Sequence, residues 1–244
     1  MKKTEFPSVY RYSAEDAGRC DELALWRASF RENIHCSRAI EDAIAQSFDG
    51  MTLNDSCVND ILEQFGYKRT MWVLANTIRL KSNDGRFSRS NRDWSREIHI
   101  PLDKDGFGEG RRQEFVVSSH PAVLNGFVDL VREQYRKLFL FTEEHCAGEI
   151  GDYAGQVLIM RPDRMKESYW EPKFQLCFAH SGFGCSPTAA GRAVYATCLA
   201  DGENARWERS DFIGVLESEY LPAWAAEKVQ KLVDQRSSHQ MNMA

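Results

Sequence analysis

The spacing of apolar residues changes once along this chain of 244 residues. In the first part, apolar side chains recur every three or four positions, which is typical of amphipathic helices. The clearest stripe runs from Leu124 to Leu138, and Pro121 is placed as the first residue of a helix, so we predict a helix over 121–139. After residue 140 the pattern becomes short β-prone runs separated by turn residues. This change predicts an α+β fold class: a mostly helical N-terminal domain followed by a small antiparallel β-sheet with a C-terminal helix.

Capping residues divide the N-terminal part into further helices. Ser13 followed by Asp16 predicts a capping box at the start of a first helix. Helical spacing over 23–48 predicts one long helix or two collinear ones. Asn54 predicts the cap of the next helix and Gly66 its end, with a further helix behind it.

The C-terminal part contains strand and hairpin signals. The predicted strands and the last short apolar run cover 156–161, 174–180, 192–199, 205–208 and 212–216. Asp201 and Gly202 lie between two of these runs, and Asp-Gly in that position predicts a hairpin. Pro222 then opens a final helix.

The two parts also differ in charge. Residues 1–137 carry 21 Lys and Arg against 21 Asp and Glu, whereas residues 138–244 carry 10 against 15. The formal charge of −5 therefore belongs entirely to the C-terminal part. Two different surfaces predict two folding units, which we place at 1–140 and 141–235, with a frayed tail at 236–244.

Cysteine usage and hydropathy indicate the compartment. The seven cysteines are an odd number without the spacing of a disulfide framework. The basic start has no apolar segment of a signal peptide behind it, and no apolar run is long enough to cross a membrane. We therefore expect free thiols, a cytoplasmic location and no membrane partner.

The sequence contains no motif of a known catalytic class. It lacks a P-loop, a dinucleotide-binding glycine pattern that opens a helix, a zinc-protease His-Glu-x-x-His and a Gly-x-Ser-x-Gly elbow. The Gly-Phe-Gly tripeptides at 106–108 and 182–184 are explained as turns. We therefore predict a protein that is not an enzyme and that binds no cofactor.

Cys177, His180 and Cys185 form the alternative to that prediction. Their residue types suit zinc, but a strand over 174–180 places Cys177 and His180 on opposite faces, where they cannot bind one ion. Cys185 near His180 is also a candidate nucleophile and base. Buried thiols and a structural histidine are the competing explanation, and we predict no metal site.

A basic, aromatic segment at 79–96 is the predicted binding site. It has six cations against two acids, a local charge of +4, with Phe87 and Trp94 interleaved. Arginine can grip phosphate with two hydrogen bonds, and aromatic rings can stack on bases. The alternative is a solvated loop whose arginines pair with acids of the first helix while Trp94 returns to the core. The predicted binding residues are Arg79, Lys81, Arg86, Phe87, Arg89, Arg92, Trp94 and Arg96.

Several strings resemble known sequences. They are Val9–Ala14, Phe48–Met51, Val73–Ile78 and Asp84–Ser88, followed by Gly182–Pro187, Leu199–Glu203 and Arg209–Leu216. The first four resemble an uncharacterised domain family carried on conjugative elements and plasmids of gut Firmicutes. The last three are similar to a small module in proteins of the same elements. The family has no established activity, so the resemblance implies context alone: a cytoplasmic bacterial protein on mobile DNA.

These observations lead to two expectations of function. The first is a non-catalytic binding protein of a mobile genetic element that acts against a host defence complex, for example as an inhibitor of a CRISPR nuclease. Its partner is then a host or element protein, or a nucleoprotein whose nucleic acid meets the 79–96 segment. The second is a nucleic-acid-binding or processing accessory protein of conjugation.

Overall fold

A computed structural model describes residues 8–80, 121–148, 151–188 and 192–241 of the chain. It shows helices in the N-terminal half, then a five-stranded antiparallel sheet and a C-terminal helix, which confirms the predicted α+β class. Its internal contacts divide the chain into two compact units, Met1–Tyr135 and Arg136–Ala244, which are described separately below.

The helical unit begins with two helices that match their sequence signals. Helix α1 covers Ala14–Arg19, and its predicted capping box is present: the Ser13 hydroxyl accepts from the Asp16 amide, and the Asp16 carboxylate accepts from the Ser13 amide. Helix α2 is one continuous element, Leu23–Ser47. The predicted choice between one helix and two collinear ones is therefore resolved in favour of one.

Gly66 separates the next two helical segments, as predicted. The Asn54 side chain accepts from the Ser56 amide and caps a 3-10 turn at Asp55–Val58. Helix α3 then covers Asn59–Leu80, but Gly66 within it has φ 72° and ψ 160°. Because a positive φ favours glycine, this residue is where the chain breaks one helix and starts the next.

Arg69 connects helix α3 to the segments around it. Its side chain is only 2% exposed, and its guanidinium donates to the carbonyl oxygens of Ser29 and Ser8 at 2.9 and 3.2 Å. It also donates to Asn33 Oδ1 at 2.5 Å. Burial lowers the pKa of Arg69 from its ordinary value. One buried side chain thus joins the N-terminal segment, α2 and α3.

Helix α4 covers Pro121–Phe139, as the apolar stripe predicts. Its Tyr135 ring stacks on Tyr67 with the ring centroids 4.1 Å apart. Most of its apolar face is buried, although Leu138 near its end is exposed, and α2 and α3 carry further buried side chains. The most buried of these include Trp26, Ile40, Leu62, Met71, Trp72, Leu74, Leu124 and Phe127.

The second unit is built on a sheet whose strand order is β4-β3-β2-β1-β5. The strands are β1 Val157–Met160, β2 Leu176–Ser181, β3 Ala193–Cys198, β4 Asn204–Glu208 and β5 Phe212–Val215. All neighbours are antiparallel. The predicted Asp-Gly hairpin joins β3 to β4, and Gly202 has φ +81°.

Both faces of this sheet carry a hydrophobic cluster. Leu158, Met160 and Cys177 belong to one cluster, which also contains Cys185 and Val194. Val157, Ile159, Leu176 and Phe178 belong to the other, together with Trp224 and Ala225 of the C-terminal helix α6, Ala223–Met241. Alternate residues of β1 and β2 therefore point into different cores. Helix α6 continues into the segment that the sequence assigns to a tail.

The predicted strand 174–180 starts too early. Residues Pro172–Gln175 form a short helix, α5, and strand β2 begins only at Leu176. The cause is Gln175, a fully buried side chain that accepts from the Phe141 amide at 2.8 Å and donates to the carbonyls of Phe141 and Met160 at 3.1 Å. These bonds hold Gln175 in place, and Pro172 favours a helical first turn.

No helix among the described residues is long and apolar enough to cross a membrane.

Replacing Arg69 with Ala is expected to lower the free energy of unfolding by about 2–4 kcal/mol, because its acceptors on the N-terminal segment and on α2 lose their donor. Arg69→Lys is expected to recover only part of this loss, since an ammonium group cannot reproduce the planar fork. Urea unfolding followed by circular dichroism measures both. Arg31→Ala, at an exposed position of α2, is the control and should change stability by less than about 0.5 kcal/mol. Equal effects at Arg69 and Arg31 would contradict the role of the buried network.

Replacing Gly184 with Ala is expected to destabilise the second unit by about 2–3 kcal/mol. A Cβ at this position would lie 2.2 Å from the Arg192 carbonyl oxygen, so the backbone itself must move. Gly148→Ala is the control, since a Cβ there meets no described residue within 4 Å. Thermal unfolding of the two variants checks the difference, and a Gly184→Ala protein as stable as the control would contradict it.

Candidate functional site

The predicted basic segment falls almost entirely outside the described residues. Arg79 belongs to the last turn of α3, which ends at Leu80. The other seven predicted binding residues, Lys81, Arg86, Phe87, Arg89, Arg92, Trp94 and Arg96, lie in the undescribed range 81–120. Their role in binding stays a prediction.

The alternative residues Cys177, His180 and Cys185 are divided between the two faces of the sheet. Cys177 and Cys185 are buried in the same hydrophobic cluster. The His180 ring packs edge-on against Phe178, which belongs to the opposite cluster, with centroids 5.3 Å apart. Within the part of the chain that the structure describes, no group of three His, Cys, Asp or Glu side chains could hold a metal ion.

His180 and Cys185 also have different surroundings. The His180 Nε2 atom hydrogen-bonds the Thr197 hydroxyl, which in turn hydrogen-bonds the Asn204 side chain on the next strand. Cys185 is 3% exposed, and burial raises the pKa of its thiol. A raised pKa suppresses the thiolate, which is the form that attacks substrates. These features describe a structural polar chain across three strands and a buried thiol.

A short turn after α2 carries the most exposed apolar side chain that the structure identifies. Phe48 and Leu53 form an antiparallel bridge that closes the turn. The Asp49 carboxylate accepts from the amides of Met51 and Thr52 at 2.8 and 2.7 Å, and these bonds lower the pKa of Asp49. Met51 is 90% exposed at the tip. A methionine held in solvent by a fixed turn is well suited to contact another molecule.

Beside this turn lies an open groove of about 370 Å³. Its lining is mostly apolar and combines the turn with one face of helix α4. The lining residues are Phe48, Gly50, Met51, Thr52, Leu53, Val123, Gly126 and Leu130. At Gly126 the two walls are close, because a Cβ there would lie 3.9 Å from Leu53 Cδ1, an ordinary contact distance. The turn and the groove together are called the Met51 surface below.

Sequence patterns do not reveal the Met51 surface. They assign Asp49 and Gly50 only to the end of a helix, although the Asp-Gly-Met-Thr string is also a turn that displays its third residue. The other wall comes from α4, at least 70 positions later in the chain. A groove between segments so far apart has no local sequence signal.

Comparison with known proteins gives one family. Residues 9–136 match the model of a family described as a protein of unknown function, DUF3849. The match includes the strings Val9–Ala14, Phe48–Met51, Val73–Ile78 and Asp84–Ser88 and ends before the three later ones. No curated protein and no solved structure matches the chain. Since the matched residues are more than half of the chain, it belongs to the DUF3849 family, a domain family of unknown function.

Proposed function

We propose that this chain is a non-catalytic binding protein of a mobile genetic element of gut Firmicutes, acting in the cytoplasm on a host defence complex. A nuclease of the CRISPR type is one such target. The single observation that supports a binding role most directly is the Met51 surface, which lies within the family match. The mobile-element setting derives from the resemblance of the family strings and forms part of the proposal.

The chemistry of the Met51 surface favours a protein partner. The lining of its groove is mostly apolar, and none of the described residues that line the groove is charged. Nucleic-acid surfaces are recognised mainly by cations that neutralise phosphates, whereas protein interfaces are enriched in methionine and aromatic residues. Apolar burial against a partner helix or loop is therefore the contact that this surface fits.

The charge distribution supports a protein target as well. The formal charge of −5 belongs to residues 138–244, outside the family match. A protein that binds nucleic acid usually presents a basic surface to the phosphates. An acidic segment such as 138–244 instead complements a basic cleft on a protein partner. Nucleases have basic clefts because they hold polyanions. An acidic protein that occupies such a cleft competes with the nucleic acid.

A second candidate function is direct nucleic-acid binding in conjugation. The observation in its favour is the +4 charge of the 79–96 segment with its two aromatic residues. This segment could also serve the first function if the target is a nucleoprotein. The two candidates differ in whether the partner survives removal of nucleic acid.

Changing Met51 to Asp is expected to reduce partner recovery about tenfold or more, because a charge replaces the apolar tip of the surface. The measurement is a pull-down from a Firmicute lysate with the tagged chain, quantified by mass spectrometry. Leu25→Asp is the matched control, since Leu25 is also an exposed apolar residue of the helical unit. Equal recovery with both variants would remove the Met51 surface from the proposal.

Nuclease treatment before the same pull-down is expected to leave the partner bound, since the proposal depends on protein contacts.

If binding is instead direct to nucleic acid, its affinity will fall steeply as the salt concentration rises. The Arg86→Ala, Arg89→Ala, Arg92→Ala variant will then lower the salt slope by about 1 for each phosphate that it no longer neutralises. Alanine at Arg11, Arg31 and Arg38 removes the same charge outside the segment and is the control. Recovery that disappears with nuclease would favour the second candidate.

A further inference from the structure

Two cysteines face each other directly across strands β2 and β3. Cys177 and Cys198 are register partners in the antiparallel pair. The Leu199 amide donates to the Leu176 carbonyl at 2.8 Å, whereas the Cys198 amide donates away from β2, to the Glu203 carbonyl at 2.9 Å. Cys177 and Cys198 are therefore a non-hydrogen-bonded pair. In such pairs the Cα atoms are only about 4.5 Å apart, within the range of about 4.4–6.8 Å that a disulfide requires.

The two side chains also lie on the same face of the sheet. Cys177 is 1% exposed, whereas Cys198 is half-buried at the margin of the same hydrophobic cluster. Cys198 is thus the partly exposed residue of the pair, and Cys177 is the buried one.

The turn after β3 is oriented around the Cys198 sulfur. Hydrogen bonds from the backbone amides of Ala200 and Asp201 lower the pKa of Cys198. The carbonyl oxygens of Leu199 and Ala200 accept from Lys228 Nζ at 2.6 and 3.0 Å. These amides and carbonyls belong to the same two peptide groups. Each group therefore points its negative end at the lysine ammonium and its positive end at the sulfur, which favours a thiolate.

The pKa directions agree with this geometry. The hydrogen bond from Cys177 is the main cause that lowers the pKa of Cys198; burial raises it, the two turn amides lower it, and a hydrogen bond with the Asp201 side chain raises it. The hydrogen bond with Cys198, followed by burial, raises the pKa of Cys177 well above its ordinary value. The two directions are opposite: the pKa of the half-buried Cys198 falls, and the pKa of the buried Cys177 rises.

We propose that Cys198 is a peroxide-reactive thiol and that Cys177 is its resolving partner. In the first step the Cys198 thiolate attacks a hydroperoxide: an S–O bond forms, the O–O bond breaks, and the leaving alkoxide or hydroxide takes a proton. In the second step the Cys177 sulfur attacks the resulting sulfenic acid, an S–S bond forms, and the hydroxyl group leaves with the thiol proton as water. The peroxide is reduced and the pair is oxidised to a disulfide between β2 and β3.

The test oxidises the full chain with one equivalent of hydrogen peroxide at pH 7 and maps its peptides by mass spectrometry. We expect a Cys177–Cys198 disulfide as the first product, ahead of any oxidation at Cys20, the exposed reference thiol. Cys177→Ser is expected to stop at the sulfenic acid, so that a 1,3-dione probe labels Cys198. Oxidation at Cys20 first, or no linked peptide in the wild-type chain, would overturn the proposal.

The contact of Lys228 with the turn after β3 has its own test, which does not require either cysteine to be changed. Lys228→Gln is expected to slow alkylation of Cys198 by iodoacetamide about threefold, because the peptide groups lose the cation that orients them. Lys231→Gln removes an exposed lysine from the same helix and is the matched control. Alkylation of Cys198 at the same rate in both variants would remove Lys228 from the mechanism.

Discussion

A polar side chain that leaves water must find hydrogen-bond partners inside the protein, or folding loses several kcal/mol. Two buried side chains meet this requirement in ways that fix the segments around them. Arg69 reaches the N-terminal segment and α2 from α3. Gln175 binds the backbone of Phe141 and Met160 from α5. Apolar packing holds each unit together, and these polar contacts determine which arrangement of segments is compatible with it.

The same requirement explains which elements can be predicted from the sequence and which cannot. Ser13, Gly66 and Pro121 act through local backbone geometry, so their signals are visible in a few residues and the elements they bound are predictable. The alternation of Phe174 with Leu176 and Phe178 fits a period of two and predicts a strand. The actual place of Phe174 on α5 depends on the bonds of Gln175 with segments 15 and 34 positions away, which no local pattern contains.

The candidate sites also differ in whether a local sequence pattern or a tertiary contact determines them. The opposite facing of Cys177 and His180 follows from strand periodicity, and the structure places the two side chains with different clusters, as the sequence predicts. The pairing of Cys177 with Cys198 depends on register, and the Met51 surface depends on α4 lying beside a turn much earlier in the chain. Both are tertiary relations. The basic segment at 79–96, by contrast, is identified from its residue composition alone and needs no tertiary information.

The position of β5 has a consequence for how the second unit folds. Strands β1 to β4 follow one another in the sheet in chain order, so each pairs with the strand before it. Strand β5 follows β4 after only the three residues Arg209–Asp211 but pairs with β1, joining Leu158 to Val215, so this pairing closes the long loop of chain from β1 to β5. Closing that long loop costs more chain entropy than forming each hairpin. The pairs between successive strands are therefore expected to form early. The sheet is expected to be complete only when β5, the last strand in the chain, pairs with β1, the first.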